Sequence, residues 1–256
     1  TLRLEEADVN IVLLHGQISE STAQDSASTE TIRLTDYAHQ GIDYLALGHV
    51  HQYQEGSLDG RGSWCYPGCL EGRGFDECTQ HGFVLLDVDE ATHQIRRQLV
   101  DISQRHLWMV PLEVQGLDSS MAIVRRARAL LSLLSGTPSA DPEIAEIPAE
   151  RVEAILQAGA GVRMRPQDLV KLELRGALSM DAELNLDFIR TQLAPMFYFL
   201  RVVDETRRFI DPSMYQHDKS LKGAFVHSVE TDTTLDEETQ AAVIEAGLRL
   251  LRGEEL

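Results

Sequence analysis

The chain carries 41 acidic and 23 basic residues among 256, and its formal net charge of −18 has the wrong sign for a protein that coats nucleic acid nonspecifically. No run of about eighteen apolar residues occurs and no signal peptide opens the chain, so the sequence predicts a cytoplasmic protein without a membrane span. The length fits one or two domains, and the three cysteines are typical of reduced thiols.

Two short apolar segments near the start of the chain are each followed by histidine. The run 9–14 predicts a strand buried on both faces and leads into His15, and the run 42–47 is followed closely by His49 and His51. Residues two apart in a strand point to the same side, so His49 and His51 are predicted to face out of the carboxyl edge of a sheet together. Neutral imidazole suits manganese, iron and zinc. These histidines therefore predict half of a metal site, which still needs oxygen ligands.

A glycine-rich loop is predicted for residues 56–74, directly after the histidine pair. Glycine lets a backbone approach a ligand closely, and Arg61 and Arg73 are candidates for binding a substrate phosphate there. A surface turn between strands explains the same composition equally well, and the acidic Glu71, Asp76 and Glu77 disfavour a simple anion pocket. Both interpretations stay open.

The cysteines allow a second metal hypothesis. Cys65, Cys69, Cys78 and His81 lie within seventeen residues and form a conceivable structural zinc set. Their spacing lacks the tight Cys-x2-Cys pair that many such sites contain. Small buried or half-exposed thiols are the favoured interpretation.

The rest of the chain predicts a hairpin, a small α/β layer and a helical tail. The hairpin pairs strands at 82–88 and 94–102. The following elements are a strand at 106–114, helices at 118–134 and 149–158, a strand at 169–174, a helix at 181–193, a strand at 196–203 and helical segments at 220–229 and 235–251. The first helix carries Arg125, Arg126 and Arg128. These arginines either contact a substrate or form a solvated face, and the solvated face is the favoured interpretation.

These motifs, in their order along the chain, resemble a known superfamily. His15-Gly16 after a strand, the segment Asp-Tyr-Leu-Ala-Leu-Gly-His-Val-His at 43–51, Tyr66-Pro67-Gly68 and Gly82-Phe83 are similar to the later motifs of calcineurin-like metallophosphoesterases, and within them to bacterial DNA repair exonucleases of the SbcD type. The resemblance implies an α/β fold with α+β layers. In it, residues 1–104 form the C-terminal half of a metallophosphoesterase β-sandwich flanked by helices, 105–204 a small α/β capping domain, and 205–256 a helical tail.

The resemblance also implies a site of two divalent metal ions. Manganese is the expected metal, with iron, zinc and magnesium as alternatives, and His15 and His49 would bind one ion while His51 binds the other. The superfamily's Asp-x-His, Gly-Asp-x-x-Asp and Gly-Asn-His-Asp/Glu motifs are absent from the 256 residues. We therefore expect the catalytic residues upstream of Thr1, and no phosphodiesterase activity from this chain alone.

The implied function is a metal-dependent DNA exonuclease for DNA repair, whose partners are DNA, an SbcC-like ATPase of the SMC type and a second copy of the nuclease. Two other functions stay open. A small-molecule phosphoesterase would share the histidines without needing the capping layer, and a noncatalytic scaffold would only bind the ATPase. The helix at 235–251 docks either on its own domain or in a groove of the partner.

Overall fold

The computed structural model describes residues 4–5, 7–19, 31–138, 141–159, 161–179, 182–209, 215 and 218–251. These residues form a mixture of strands and helices, which is consistent with the predicted α/β class. The chain divides into two compact units, one of Thr1–Val110, Leu130–Lys171 and Ala194–Leu200 and the other of Pro111–Ala129, Leu172–Leu193 and Arg201–Leu256. None of the helices in the described ranges has the length and apolar character needed to cross a membrane.

Eleven strands and five α-helices are present in the described residues. The strands are β1 (Ile11–His15), β2 (Gln17–Ile18), β3 (Thr31–Ile32), β4 (Tyr44–Gly48), β5 (Gln54–Ser57), β6 (Ser63–Tyr66), β7 (Gly82–Asp89), β8 (Gln94–Asp101), β9 (Leu107–Glu113), β10 (Leu169–Ser179) and β11 (Phe199–Phe209). The helices are α1 (Ser120–Ser135), α2 (Ala149–Ala158), α3 (Leu186–Leu193), α4 (Leu221–Glu230) and α5 (Glu237–Leu251).

A four-stranded sheet of order β1-β4-β6-β5 lies in the amino-terminal part of the chain. Strands β1, β4 and β6 run parallel, whereas β5 pairs antiparallel with β6. The prediction of a continuous loop over residues 56–74 is therefore wrong, because β6 and part of β5 lie inside it. The aromatic residues Trp64 and Tyr66 favour a strand, and Gly56 leaves room for the indole of Trp64, which a Cβ at that position would approach to 2.7 Å.

Strand β1 differs from the prediction in its burial. Val12 and Leu14 pack against the core residues Leu45 and Leu47 of β4, as expected. On the other face Leu13 is 75% exposed, so the prediction of a strand buried on both faces is wrong. Although its sequence is continuously apolar, β1 is an edge strand of its sheet in the part of the chain that the structure describes.

The later elements follow the predicted order. Strands β7 and β8 form the expected antiparallel hairpin, and β9, β10 and β11 form one sheet of order β11-β10-β9. The Ser119 hydroxyl accepts a hydrogen bond from the Ala122 N–H at 3.4 Å and so caps α1. Helix α3 begins at Leu186, five residues after its predicted start at residue 181, which lies outside the described residues.

The last two helices pack on each other. Val226 and Val229 of α4 form a small core with Ile244 and Leu248 of α5. All four side chains are more than nine-tenths buried. The apolar stripe of α5 therefore docks on its own chain, which is one of the two alternatives that the sequence left open.

Candidate metal centre

The parallel pairing of β1 and β4 brings two histidines together at the carboxyl edge of the sheet. His15 is the last residue of β1, and its register partner is Gly48, the last residue of β4. The next residue is His49, whose ring centroid lies 5.3 Å from that of His15 with the two ring planes at 87°. Two imidazoles from neighbouring strands thus share one edge, which is where open α/β sheets bind ligands.

Gly48 makes room for the His15 ring. A Cβ placed on Gly48 would lie 2.9 Å from Nδ1 of His15, closer than carbon and nitrogen pack. Position 48 therefore requires glycine, because a side chain there would displace the ring of His15.

Replacing Gly48 by alanine is expected to turn the His15 ring out of its place while the fold survives, because the clash is with the end of a side chain and alanine is tolerated in strands. We expect the ring proton resonances of His15 to shift in NMR spectra, with the free energy of unfolding changed by no more than about 1 kcal/mol. Gly60→Ala is the matched control, since a Cβ at Gly60 meets no atom within 4 Å. Unchanged His15 resonances in Gly48→Ala would contradict this role.

The backbone leaves the strand at Gly48, so the predicted alternation of His49 and His51 is wrong. His49 has φ = 109°, a conformation that side-chain-bearing residues rarely adopt and that costs about 1–3 kcal/mol. It turns the His49 ring towards His15, while the His51 ring contacts a different set of side chains. Strain of this kind persists only where the surroundings enforce it, and it concentrates at functional sites.

Tyr66, at the carboxyl end of β6, holds the turn that follows His15. Its buried hydroxyl donates a hydrogen bond to the Gly16 carbonyl at 2.6 Å and accepts one from the Ile18 N–H at 3.0 Å. In the sequence Tyr66 was part of a motif without a role of its own. The aromatic segment at 64–66, which favours a strand, was the available signal.

His51 lies between a carboxylate and a guanidinium. Its Nδ1 is 2.7 Å from Oε1 of Glu77, and Nη2 of Arg73 lies 2.9 Å from Nδ1 and 3.1 Å from Nε2. Because a carboxylate only accepts and a guanidinium only donates, the compatible neutral tautomer has Nδ1–H donating to Glu77 and Nε2 accepting from Arg73. A carboxylate that holds one imidazole nitrogen in this way orients the other for a metal.

Glu77, which from the sequence only disfavoured an anion pocket, is a partner of His51 in the structure. Its Oε2 accepts a hydrogen bond from the Arg73 backbone N–H at 2.8 Å. That hydrogen bond, followed by the one from His51, holds the pKa of Glu77 below its usual range. The carboxylate is therefore ionised at neutral pH beside His51, although 26 residues separate the two in sequence.

The four-residue zinc set considered for the cysteines does not assemble. Cys65 is buried in β6, and the Cys78 thiol donates to the Phe75 carbonyl at 3.1 Å. Only Cys69 and His81 come together, with Sγ 3.3 Å from Nδ1. Burial, followed by the charge of Glu77, raises the pKa of the Cys69 thiol.

The two arginines proposed for substrate binding occupy different ends of the sheet. Arg73 lies against His51, as described above. Arg61 instead donates from Nε and Nη2 to both oxygens of Asp43, at 2.7 and 2.9 Å, just before β4 begins. Burial alone would raise the pKa of Asp43, but hydrogen bonds from Arg61 and the Asn10 N–H outweigh it and lower the pKa. Arg61 is thus held in an ion pair with the buried Asp43 and contacts His93, at 3.1 Å, rather than His15, His49 or His51.

On α1, Arg128 donates from Nη2 to the Gln192 carbonyl at 3.0 Å. This contact fixes one of the three arginines considered for substrate binding to its own unit.

No protein-family model matches the chain, and no curated protein matches it.

Proposed function

We propose that the chain contributes the histidine-bearing part of a calcineurin-like metallophosphoesterase of the DNA repair exonuclease type. In this proposal His15 and His49 bind one divalent cation and His51 binds the other. The observation that carries it is the meeting of the His15 and His49 rings, 5.3 Å apart, where two parallel strands end. The strained backbone of His49 adds weight, because it positions a histidine at a cost in stability.

The donor set fits such ions in part. Imidazole nitrogens suit manganese, and Glu77 holds His51 in the tautomer whose Nε2 is an acceptor, which Arg73 contacts in this structure. Paired cations lower the pKa of a bound water and neutralise phosphate oxygens in phosphodiester hydrolysis. The carboxylate and amide ligands of the superfamily belong, in this proposal, to sequence outside the 256 residues. The free side of β1 fits that arrangement, since Ile11 and Leu13 are 43% and 75% exposed and further strands of a β-sandwich would cover them.

An exposed aromatic surface near Arg73 favours nucleic acid over a small ester as the substrate. Tyr198 is 65% exposed, and the guanidinium carbon of Arg105 lies 3.9 Å from its ring centroid. Phe199 is 46% exposed and packs at 6.4 Å, between ring centroids, against Phe75. Exposed rings beside a cation are what unpaired bases stack on.

This surface is tied to the loop that bears the site. Both oxygens of Glu71 accept backbone hydrogen bonds, one from Gln104 and one from Arg105, each at 3.0 Å. Glu71 is two residues from Arg73, and Phe75 is two residues from Glu77. The aromatic surface and the His51 surroundings therefore share one loop.

The test is an assay of the gene product that contains these 256 residues, with manganese, on linear DNA and on bis(p-nitrophenyl) phosphate. We expect both to be hydrolysed, and both activities to be lost in His51→Ala. Tyr198→Ala is expected to raise KM for DNA about 10-fold and leave the small ester unaffected, because one stacking contact is worth about 1–3 kcal/mol.

Hydrolysis of the small ester without DNA cleavage would overturn the nuclease proposal in favour of a small-molecule phosphoesterase. Loss of neither activity in His51→Ala would overturn the metal assignment. Absence of both activities from the folded wild-type protein, together with binding of an SMC-type ATPase, would favour the scaffold.

A further inference from the structure

A group of metal-ligating side chains beside the histidine pair is not accounted for by the proposed function. His51, Cys69 and Glu77 each offer one donor atom, and the three atoms lie within 4.8 Å of one another. Nδ1 of His51 is 2.7 Å from Oε1 of Glu77, and Sγ of Cys69 is 3.9 Å from Oε2. In the part of the chain that the structure describes, no other histidine, cysteine or acidic side chains converge in this way.

Backbone hydrogen bonds assemble the group from separate parts of the chain. The Cys69 N–H donates to the His51 carbonyl at 3.1 Å, which fixes the two residues side by side. Gly68 permits this approach, since it has φ = 82° and a Cβ there would lie 2.7 Å from the same carbonyl. The Arg73 N–H then fixes the carboxylate of Glu77 at 2.8 Å. The donor atoms are therefore held in place by the fold.

His81 holds the thiol from behind. Its side chain is buried, and Nε2–H donates to the Glu77 carbonyl at 2.8 Å. That bond leaves Nδ1 as the acceptor facing the Cys69 Sγ at 3.3 Å. Gly72 gives the ring its space, because a Cβ there would lie 2.9 Å from Nε2. His81 therefore fixes the position of the Cys69 sulfur within the group.

The group also attracts positive charge. The carboxylate of Glu77 carries one negative charge, and the Cys69 thiol adds a second when it loses its proton on metal binding, so that one divalent cation balances both. Arg73 already places a cation against the ring of His51, with Nη2 within 3.1 Å of both nitrogens. The side chain of His51 is 47% exposed, so an ion can reach the donors from solvent.

We propose that His51, Cys69 and Glu77 bind one thiophilic divalent cation of the zinc class. Thiolate, imidazole and carboxylate are the donors that zinc takes, and three protein ligands leave a fourth position for water. Binding transfers the thiol proton to solvent and displaces the guanidinium of Arg73. The inference goes beyond the proposed function, because it adds Cys69 and Glu77 as ligands, and it shares His51 with the proposed two-metal site.

The test uses the purified 256-residue chain with Co²⁺ and Zn²⁺ alone. We expect one equivalent of Co²⁺ to produce the near-ultraviolet thiolate-to-cobalt absorption, and Zn²⁺ to displace it. Cys69→Ser is expected to lack that absorption and to bind Zn²⁺ about 100-fold more weakly, since groups that merely orient a ligand are already worth about 10- to 100-fold. Glu77→Gln is expected to bind it about 10-fold more weakly with the absorption retained.

Cys78→Ser is the matched control and is expected to keep the absorption, because that thiol donates to a carbonyl elsewhere in the loop. Absence of the thiolate band from the wild-type protein, or its persistence in Cys69→Ser, would overturn the proposal. One-dimensional NMR of Cys69→Ser verifies that the variant is folded. His15→Ala separates the two proposals, because it should leave the cobalt band intact while it removes the proposed nuclease activity.

Discussion

Replacing Asp168 by alanine is expected to lower the free energy of unfolding by about 3 kcal/mol, the largest loss from any single substitution that we expect outside the apolar core. Asp168 is fully buried, and its two oxygens accept hydrogen bonds from the His106 N–H and the Trp108 indole N–H, each at 3.0 Å, and from the Arg165 N–H at 2.8 Å. The Arg165 guanidinium adds a further bond at 3.1 Å. Alanine would remove the acceptors of the His106 N–H and of the buried Trp108 indole N–H.

The measurement is urea unfolding at neutral pH, compared with Asp187→Ala as the control. Asp187 makes an ion pair of similar chemistry with Arg190, at 3.3 Å, but its side chain is 90% exposed. Exposed pairs of this kind contribute less than about 1 kcal/mol. If Asp168→Ala loses no more stability than Asp187→Ala, the buried hydrogen bonds do not hold the starts of β9 and β10 together as we infer.

The burial and the hydrogen bonds of Asp168 could not be predicted from the sequence. The pattern of apolar residues was enough to place β9, β10 and α1, because each has a period that only one secondary structure satisfies. A single aspartate before a strand carries no such period. Its burial depends on donors from positions 106, 108 and 165, and their convergence is a property of the folded chain.

The candidate site divides in the same way. The two strands that end near histidine were predictable from local composition, and their parallel pairing at one edge follows from the α/β class. The left-handed turn of His49 was not predictable, since a histidine there violates the backbone preference that the prediction relied on. Glu77 was missed as a partner of His51 because it reaches the site through tertiary contacts made by a loop that looks acidic and flexible in sequence.

The backbone of His49 gives the sharpest test of whether the histidine edge is functional. His49→Gly is expected to raise the free energy of unfolding by about 1 kcal/mol, because glycine adopts φ = 109° without the strain of about 1–3 kcal/mol and loses only part of that gain to its greater freedom in the unfolded chain. The same change is expected to lower manganese-dependent hydrolysis by the gene product about 100-fold or more, because it removes a proposed metal ligand. Stability and activity should thus move in opposite directions.

His39→Gly is the matched control, since His39 also has a positive φ, of 61°, and its side chain is 86% exposed. We expect this variant to be as stable as the wild-type protein or more so, with unchanged activity. Urea unfolding and hydrolysis of bis(p-nitrophenyl) phosphate measure the two quantities on each variant. A destabilised His49→Gly would show that the ring contact with His15 is worth more to the fold than the strain costs it, and the conformation would then have a structural explanation. A more stable variant without activity would indicate that the strained backbone serves metal binding. The protein would then retain an unfavourable conformation at His49 because the imidazole is needed as a ligand.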